Sequence, residues 1–436
     1  MTIGKKGMEM ETVVLGLFGG ALLLCLLSGV SILWALAAGW FLFAAYARHC
    51  GQTFGEVLRV SVFGISAAKN ILLTFFLIGM LTALWREAGT IACMVCIAVR
   101  WISPADFLVM TFGMNCVLSV MTGTAFGTAA TMGVICGVMG TALGVSPVWV
   151  GGAVLSGVYF GDRCSPVSTS ALLVATLTRT DIFENIKAMM RTAAVPLLAT
   201  CGVYAVVGCL METGGDIPDF TAVFGAEFNL SQWTLLPAAV LLALSLVKVN
   251  VKRAMTASIL SAIPVCVFLQ HTPLETILPL LFTGFVAEHV EVAALLNGGG
   301  MVSMGKVAAI VCISSAYSGI FQSTGILKCQ QVRLQKLAKE TTSFFAISVA
   351  SVMTSMLACN QTLAIMLTHQ LACEAEPNRN RFAIALENSV VVIAPLVPWS
   401  IAGTVPLASM EAPTESILCA CFLYFLPLWE TVRGKK

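Results

Sequence analysis

Charge is what this sequence most lacks. Only 11% of its 436 residues are Asp, Glu, Lys or Arg, where a soluble domain carries roughly 25%. With 58% hydrophobic residues, that shortage excludes a soluble globular domain. The net charge of +2 gives no reason to expect a nucleic-acid partner. Catalytic signatures are missing too. There is no G-x-S-x-G elbow and no H-E-x-x-H motif. The four histidines, His49, His271, His289 and His369, are scattered. No enzyme and no resident cofactor are expected. The sixteen cysteines form no disulfide framework, because almost all lie in apolar runs, as Cys25, Cys136, Cys209, Cys312 and Cys419 do, where Cys packs as a small hydrophobe. Cys93 and Cys96 make a C-x-x-C without a second pair. No small-residue cleavage site follows Lys5 and Lys6, so the apolar run after them reads as a first helix.

What is present is apolar length. A membrane helix needs about 20 apolar residues, and the chain supplies that many times over. The expected fold is an all-α polytopic membrane protein with roughly 10–12 transmembrane helices in two inverted repeats, some of them discontinuous. Residues 1–60 read as N-terminal helices, 61–211 as a first transport repeat, 212–232 as a polar linker, 233–297 as connecting helices and 298–436 as a second transport repeat. The linker carries Glu212, Asp216, Asp219 and Glu227 without a base, which places it outside. Arg179, Lys187 and Arg191 place residues 178–192, an amphipathic surface helix by their spacing, in the cytoplasm. The acidic segment before the last span and Arg433, Lys435 and Lys436 after it place the C-terminus inside. The basic stretch from Lys328 to Lys339 fits the span count through Gly298–Gly300 only if a re-entrant hairpin lies nearby.

Residues 153–170, AVLSGVYFGDRCSPVSTS, organise the rest. An apolar helix reaches Gly161 and then meets Asp162, Arg163, Cys164, Ser165-Pro166 and three more hydroxyls before apolar helix resumes at Ala171. Non-helical backbone survives at membrane depth only where protein or a water-filled cavity satisfies it, and helix breaks there hold ions. An acid in such a place costs about 2.5–3.5 kcal/mol on insertion scales, so it is paired, protonated or useful. Asp162 is the leading ion- or proton-binding candidate. Thr122, Thr124, Thr128, Ser165, Ser168 and Thr169 offer oxygens around it, though each is equally able to bond its own helix backbone.

An internal repeat at an offset of roughly 236 supplies the second half of the site. It pairs Lys69 with Lys306, Gly89 with Gly325 and Thr124 with Asn360, and it sets Ser165-Pro166 near Ala394-Pro395. The second half has its own polar interruption, Glu387-Asn388-Ser389, followed by Pro395 and Pro398. Glu387 is read as the counterpart of Asp162, with Asn360, Asn388 and Ser389 as further ligands.

At these residues the chain resembles the NhaC family of sodium/proton antiporters, within the wider ion-transporter superfamily. The resemblance covers most of the chain and is densest from about Met121 to Pro196 and from about Met353 to Met410. Gly123 to Thr128 stands where the family has GTSWGT, and Gly161 to Ser168 where it has GDKxSPLS. Cys359 to Leu363 stands in place of GDQYL, and Leu386 to Ser400 in place of LEDxxxxxSPLxPWN. The resemblance implies inverted repeats, alternating access, and cation/proton antiport in a bacterial inner membrane, with Na+ as transported or coupling ion. Small organic acids such as malate and lactate are exchanged by some members. Three family carboxylates are neutral here, at Thr169, Asn360 and Asn388, and a later Asn is Leu172. That loss of charge raises the weight of proton coupling or of a small organic acid or amino acid as the exchanged solute. The expected partners are the lipid bilayer, a proton, a small cation or solute, and a second copy in a homodimer.

Overall fold

The computed structural model describes residues 5–433 except 29, 102, 167, 212–219, 248, 290–291, 294–295, 325–339 and 359. The linker acids Glu212, Asp216 and Asp219, the basic stretch from Lys328 to Lys339, and Gly325 lie outside the described residues. The first half runs α1 (Lys5–Leu27), α2 (Ile32–His49), α3 (Phe54–Ala67), α4 (Lys69–Glu87), α5 (Thr90–Trp101), α6 (Pro104–Thr122), α7 (Ala125–Ala142), α8 (Pro147–Cys164), α9 (Thr169–Thr178) and α10 (Ile182–Leu210). The second half runs α11 (Leu236–Leu246), α12 (Val251–Leu269), α13 (Leu274–Thr283), α14 (Gly305–Thr324), α15 (Ser343–Ala358), α16 (Gln361–Ala372), α17 (Arg379–Leu396), α18 (Ile401–Ser409) and α19 (Cys421–Arg433). Extended pairing among the described residues is confined to one bridge, Phe285 with Gly298.

Helices α6, α7, α10 and α12 are each long and apolar enough to cross a bilayer. The pairs α4/α5 and α17/α18 qualify together, bent by 70° and 59° at their breaks. Shorter apolar helices, among them α9, α13 and α15, complete the set. The surface helix expected over 178–192 is not separate. Asp181 caps it, accepting from the Phe183 and Glu184 amides, and it continues as the 29-residue α10, about 44 Å long at 1.5 Å per residue. The charged first turns therefore extend beyond a ~30 Å hydrocarbon layer, and one helix serves both purposes.

Repeated backbone geometry supports the duplication. Thr124, before α7, has φ −149° and ψ 123°, and Asn360, before α16, has φ −139° and ψ 128°. Ala68 and Met304, before α4 and α14, agree within 2°. Ser168 and Ser400, which cap α9 and α18, agree within 5°. The crossing of the halves is reciprocal as well. A Cβ on Gly64 of α3 would strike the Ser315 carbonyl of α14, and one on Gly79 of α4 would strike the Gly300 carbonyl. Each of these two pairs maps on the other through the 236-residue shift.

Helix α3 has fourteen residues, while its second-half equivalent is split into the ten of α13 and the four of Gly300–Ser303. Between them the chain leaves the helix at Gly284 and returns through Gly298, Gly299 and Gly300, all at positive φ. This excursion lies where a simple span count through Gly298–Gly300 is awkward.

Close packing fixes the organising segment. Gly157 and Gly161 present bare backbone from α8 to α6, and a Cβ on Gly157 would lie 2.7 Å from the Phe112 carbonyl. Small residues let membrane helices approach this closely. Overpacking of this kind costs about 1–3 kcal/mol. Gly157→Val is therefore expected to lower the melting temperature of the detergent-solubilised protein, read by fluorescence-detected size exclusion. An unchanged melting temperature would show that the contact carries no stability.

Candidate functional site

Asp162 sits in the last turn of α8 and is 4% exposed. The negative end of a helix is a poor place for an acid, so its partners must come from elsewhere. They come from three helix N-termini. Ser168, the α9 cap, donates to Oδ1 at 2.9 Å, and Ser170, in the first turn of α9, donates to Oδ2 at 2.7 Å. The Ala125 N–H at the start of α7 and the Gln361 side chain at the start of α16 also lie within hydrogen-bonding reach. Helix starts aimed at one carboxylate form an anion cradle.

The neighbouring residue faces the other half. Arg163 is fully buried. Its Nη2 donates to the Thr192 hydroxyl at 2.9 Å, to the Met189 carbonyl at 3.2 Å, and to Oδ1 of Asn388. Thr192 and Met189 belong to α10, and Asn388 interrupts α17. Arg163 thus ties the end of α8 to the kink of α17. Although it adjoins Asp162 in sequence, its bonds run to α10 and α17.

Glu387 is fully buried, and neither carboxylate oxygen has a hydrogen-bond partner. It lies within electrostatic range of both Arg163 and Asp162. The Asn388 Nδ2 and Arg163 Nε are also without partners. A buried polar atom left unpaired costs about 1–3 kcal/mol, more if charged. Glu430 Oε2, beside Asn388, is unpartnered as well, and unpaired atoms gathered in one buried place call for an explanation.

The other expected ligands differ in their place. Ser168 and Asn388 join the cluster directly. Ser165 is buried at the end of α8. Thr124 and Asn360 cap α7 and α16, accepting from the Gly127 and Thr362 amides at 3.2 Å and 2.9 Å; they set up the helix starts that face Asp162. Thr122 bonds Thr128 at 3.0 Å, and Ser389 donates to the Ala385 carbonyl at 2.6 Å. Thr169 is a correction: it is exposed, and Ser170 is the hydroxyl that reaches Asp162. A helix start turns successive side chains by about 100°, so the neighbour takes the inward position.

The pairing of Glu387 with Asp162 is a second correction. Helices α8 and α17 both have eighteen residues and both lead into a Ser-capped helix. Matching their ends aligns Pro166 with Pro398, and Asp162 with Ala394. Glu387 lies about two turns earlier, at a kink where Ser389 has φ −120° and ψ −88°. The two acids come together because α8 and α17 cross, with no repeat symmetry between them. Ser170, Thr192, Gln361 and Glu430 of α19, which approaches Asn388 and Arg163, were not singled out from the sequence. His369 stands apart, its ring 5.4 Å from that of Phe382. Among the described residues no group of three or more His, Cys, Asp or Glu could hold a metal.

Comparison with known proteins bears on the family of the chain. The model of the Na+/H+ antiporter family matches residues 5–176 and 157–429. The Na+/H+ antiporter NhaC of Bacillus subtilis is 27% identical over 405 residues, covering 90% of this chain and 89% of that protein. The malate-2H+/Na+-lactate antiporter of the same organism is 26% identical over 411 residues, covering 90% and 86%. The arginine/ornithine antiporter ArcD of Halobacterium salinarum is 25% identical over 433 residues, covering 95% and 88%.

Proposed function

The chain belongs to the Na+/H+ antiporter family, and on that premise we propose that one monovalent cation and one proton compete for the site at Glu387. The chain is a multi-pass transporter of the bacterial inner membrane and a cation/proton antiporter. Alternating access would move the two repeats, 61–211 and 298–436 with their upstream helices, around the crossing of α8 and α17. A second copy in a homodimer fits this scheme, and cross-linking in the membrane tests it.

One observation carries the assignment: Glu387 is the buried acid whose oxygens are unpartnered. Among Asp162, Glu387 and Arg163 two carboxylates face one guanidinium, so with both ionised this buried trio, taken without the half-buried Glu430 beside Asn388, is one positive charge short of neutral. Either a proton or a single Na+ neutralises it. Uncompensated buried charge is costly, so occupancy by one excludes need for the other, which is the exchange rule of an antiporter. Asp162, which accepts from Ser168 and Ser170, adds its field to that of Glu387; Ser165, Ser168, Asn388 and the Thr122–Thr124 turn line the path.

Everted vesicles carrying the protein are expected to dissipate a pH gradient on addition of Na+, as read by acridine fluorescence. The apparent Na+ affinity of Asp162→Asn is expected to fall about tenfold, the worth of one charge-assisted bond. No response to Na+, Li+ or K+ in the wild type would remove the reading, and an unaltered Asp162→Asn would remove that residue from it.

A second reading is exchange of small organic acids or amino acids. It is favoured by neutral Asn360 and Asn388 at the helix starts and kink, where less charge repels a carboxylate, and by the names of two relatives. Uptake of labelled malate, lactate and arginine into proteoliposomes separates it from ion exchange.

A further inference from the structure

The structure assigns a small-carboxylate site to Arg86, in a pocket apart from the Asp162–Glu387 cluster and latched by Glu411. Arg86 ends α4 and is 5% exposed. Its Nη2 donates to Glu411 at 2.7 Å, while Nε and Nη1, also buried, have no partner. The guanidinium faces a 230 Å³ pocket whose polar lining includes Thr82, Thr141, Asn297 and Ser409. Among the described residues, Arg86 and Glu411 are the only charged ones lining it.

The surroundings are shaped to this guanidinium. The backbone at Gly298 and Gly299 packs against it: a Cβ on Gly298 would lie 3.1 Å from Nη1 and one on Gly299 2.8 Å from it. Glu411 follows α18 at φ 56°, where its amide and the next one close the helix end on the Ala408 and Leu407 carbonyls. Glycine is the usual residue at such a position; here a carboxylate is held there instead, over Arg86 but 39% exposed.

An arginine fork matches a planar carboxylate with two parallel bonds. With Glu411 in place only one arm is used. A solute carboxylate that displaces Glu411 into water meets Nη2 together with one of its free neighbours. The pocket has room for a solute of a few carbons. The class is therefore a short mono- or dicarboxylate. Glu411 occupies the site in its absence and competes with it.

Labelled L-lactate binding to the full chain in nanodiscs tests this, with lactamide as the uncharged competitor. Glu411→Gln is expected to tighten lactate binding about tenfold, and Arg86→Gln to weaken it at least tenfold, the range of a charge-assisted bond. Lactamide is expected not to compete. In the wild type, lactate is expected to protect Arg86 from phenylglyoxal, read by peptide mass spectrometry, which needs no variant. Lactate binding that ignores both substitutions, equal competition by lactamide, or no binding and no protection would overturn the assignment. Na+-driven proton movement in the same preparations is a separate readout, so failure here leaves the antiport reading standing.

Discussion

Glu387→Gln is expected to abolish Na+-driven proton movement while leaving the chain folded. The side chain is nearly isosteric, and no hydrogen bond is lost because the wild-type oxygens have none. What disappears is the ability to bind and release a proton, and the charge that attracts a cation. Loss of the interaction with a buried monovalent ion is worth about 3 kcal/mol or more, which is roughly 100-fold in affinity. The substitution also changes the charge balance: Asp162 and Arg163 then cancel, and the cluster is neutral when empty. Transport measured in proteoliposomes over a range of Na+ concentrations is expected to show no saturable component. Size exclusion is expected to show an unaltered monodisperse peak. Wild-type exchange rates in this variant would mean that the coupling proton is carried elsewhere, and the Glu430 carboxylate near Asn388 would be the next acid to replace.

The same balance explains the neutral positions of this sequence. Asn388 accepts from Arg163 through Oδ1. An aspartate there would take the arginine as its ion partner and add one more negative charge to the cluster, which would then need two cations for neutrality. Asn360 uses its Oδ1 to cap α16, a task that aspartate performs equally well, so its neutrality removes field near Asp162 without removing the helix start. The family carboxylates are thus replaced by residues that keep the geometry and reduce the charge.

The class of fold and the place of the site were legible because they rest on composition and on breaks in apolar runs. An acid after Gly161 in so greasy a segment marks itself, and so does Glu387-Asn388-Ser389. Partner choice was less legible. Thr192 lies on the fourth turn of a long helix, and nothing in its neighbours says that it faces Arg163. Gln361 follows a helix cap and reads as an ordinary first-turn residue. Register within the repeat failed for a physical reason as well: Ser165-Pro166 and Ala394-Pro395 look alike as letters, but helix length decides the match, and α17 carries its kink inside an eighteen-residue element. The excursion between α13 and Gly300 was felt only as a span count that would not close, because its turn depends on three successive positive φ values that glycine permits but a sequence does not order.

The second large effect is expected at Arg163. Removing one member of a buried charged group costs about 3–5 kcal/mol, because the remaining charges lose their partner where water cannot replace it. In Arg163→Met the acids at Asp162 and Glu387 face each other without a counter-charge, and the Met189 carbonyl, Thr192 and Asn388 each lose a donor. Lower yield and a lower melting temperature are therefore expected, with Arg163→Lys intermediate, since an ammonium keeps the charge but not the planar shape that holds Nη2 between α10 and α17. A structural arginine and an electrostatic one predict different double variants. If Arg163 acts chiefly by offsetting the Glu387 charge, Arg163→Met combined with Glu387→Gln should be more stable than Arg163→Met alone, with a coupling of about 1–3 kcal/mol. If it acts only as a tie between helices, the second substitution should change nothing. Restored stability without restored transport is the expected outcome, because the double variant is electrically balanced but has no group left at the kink to exchange a proton for a cation.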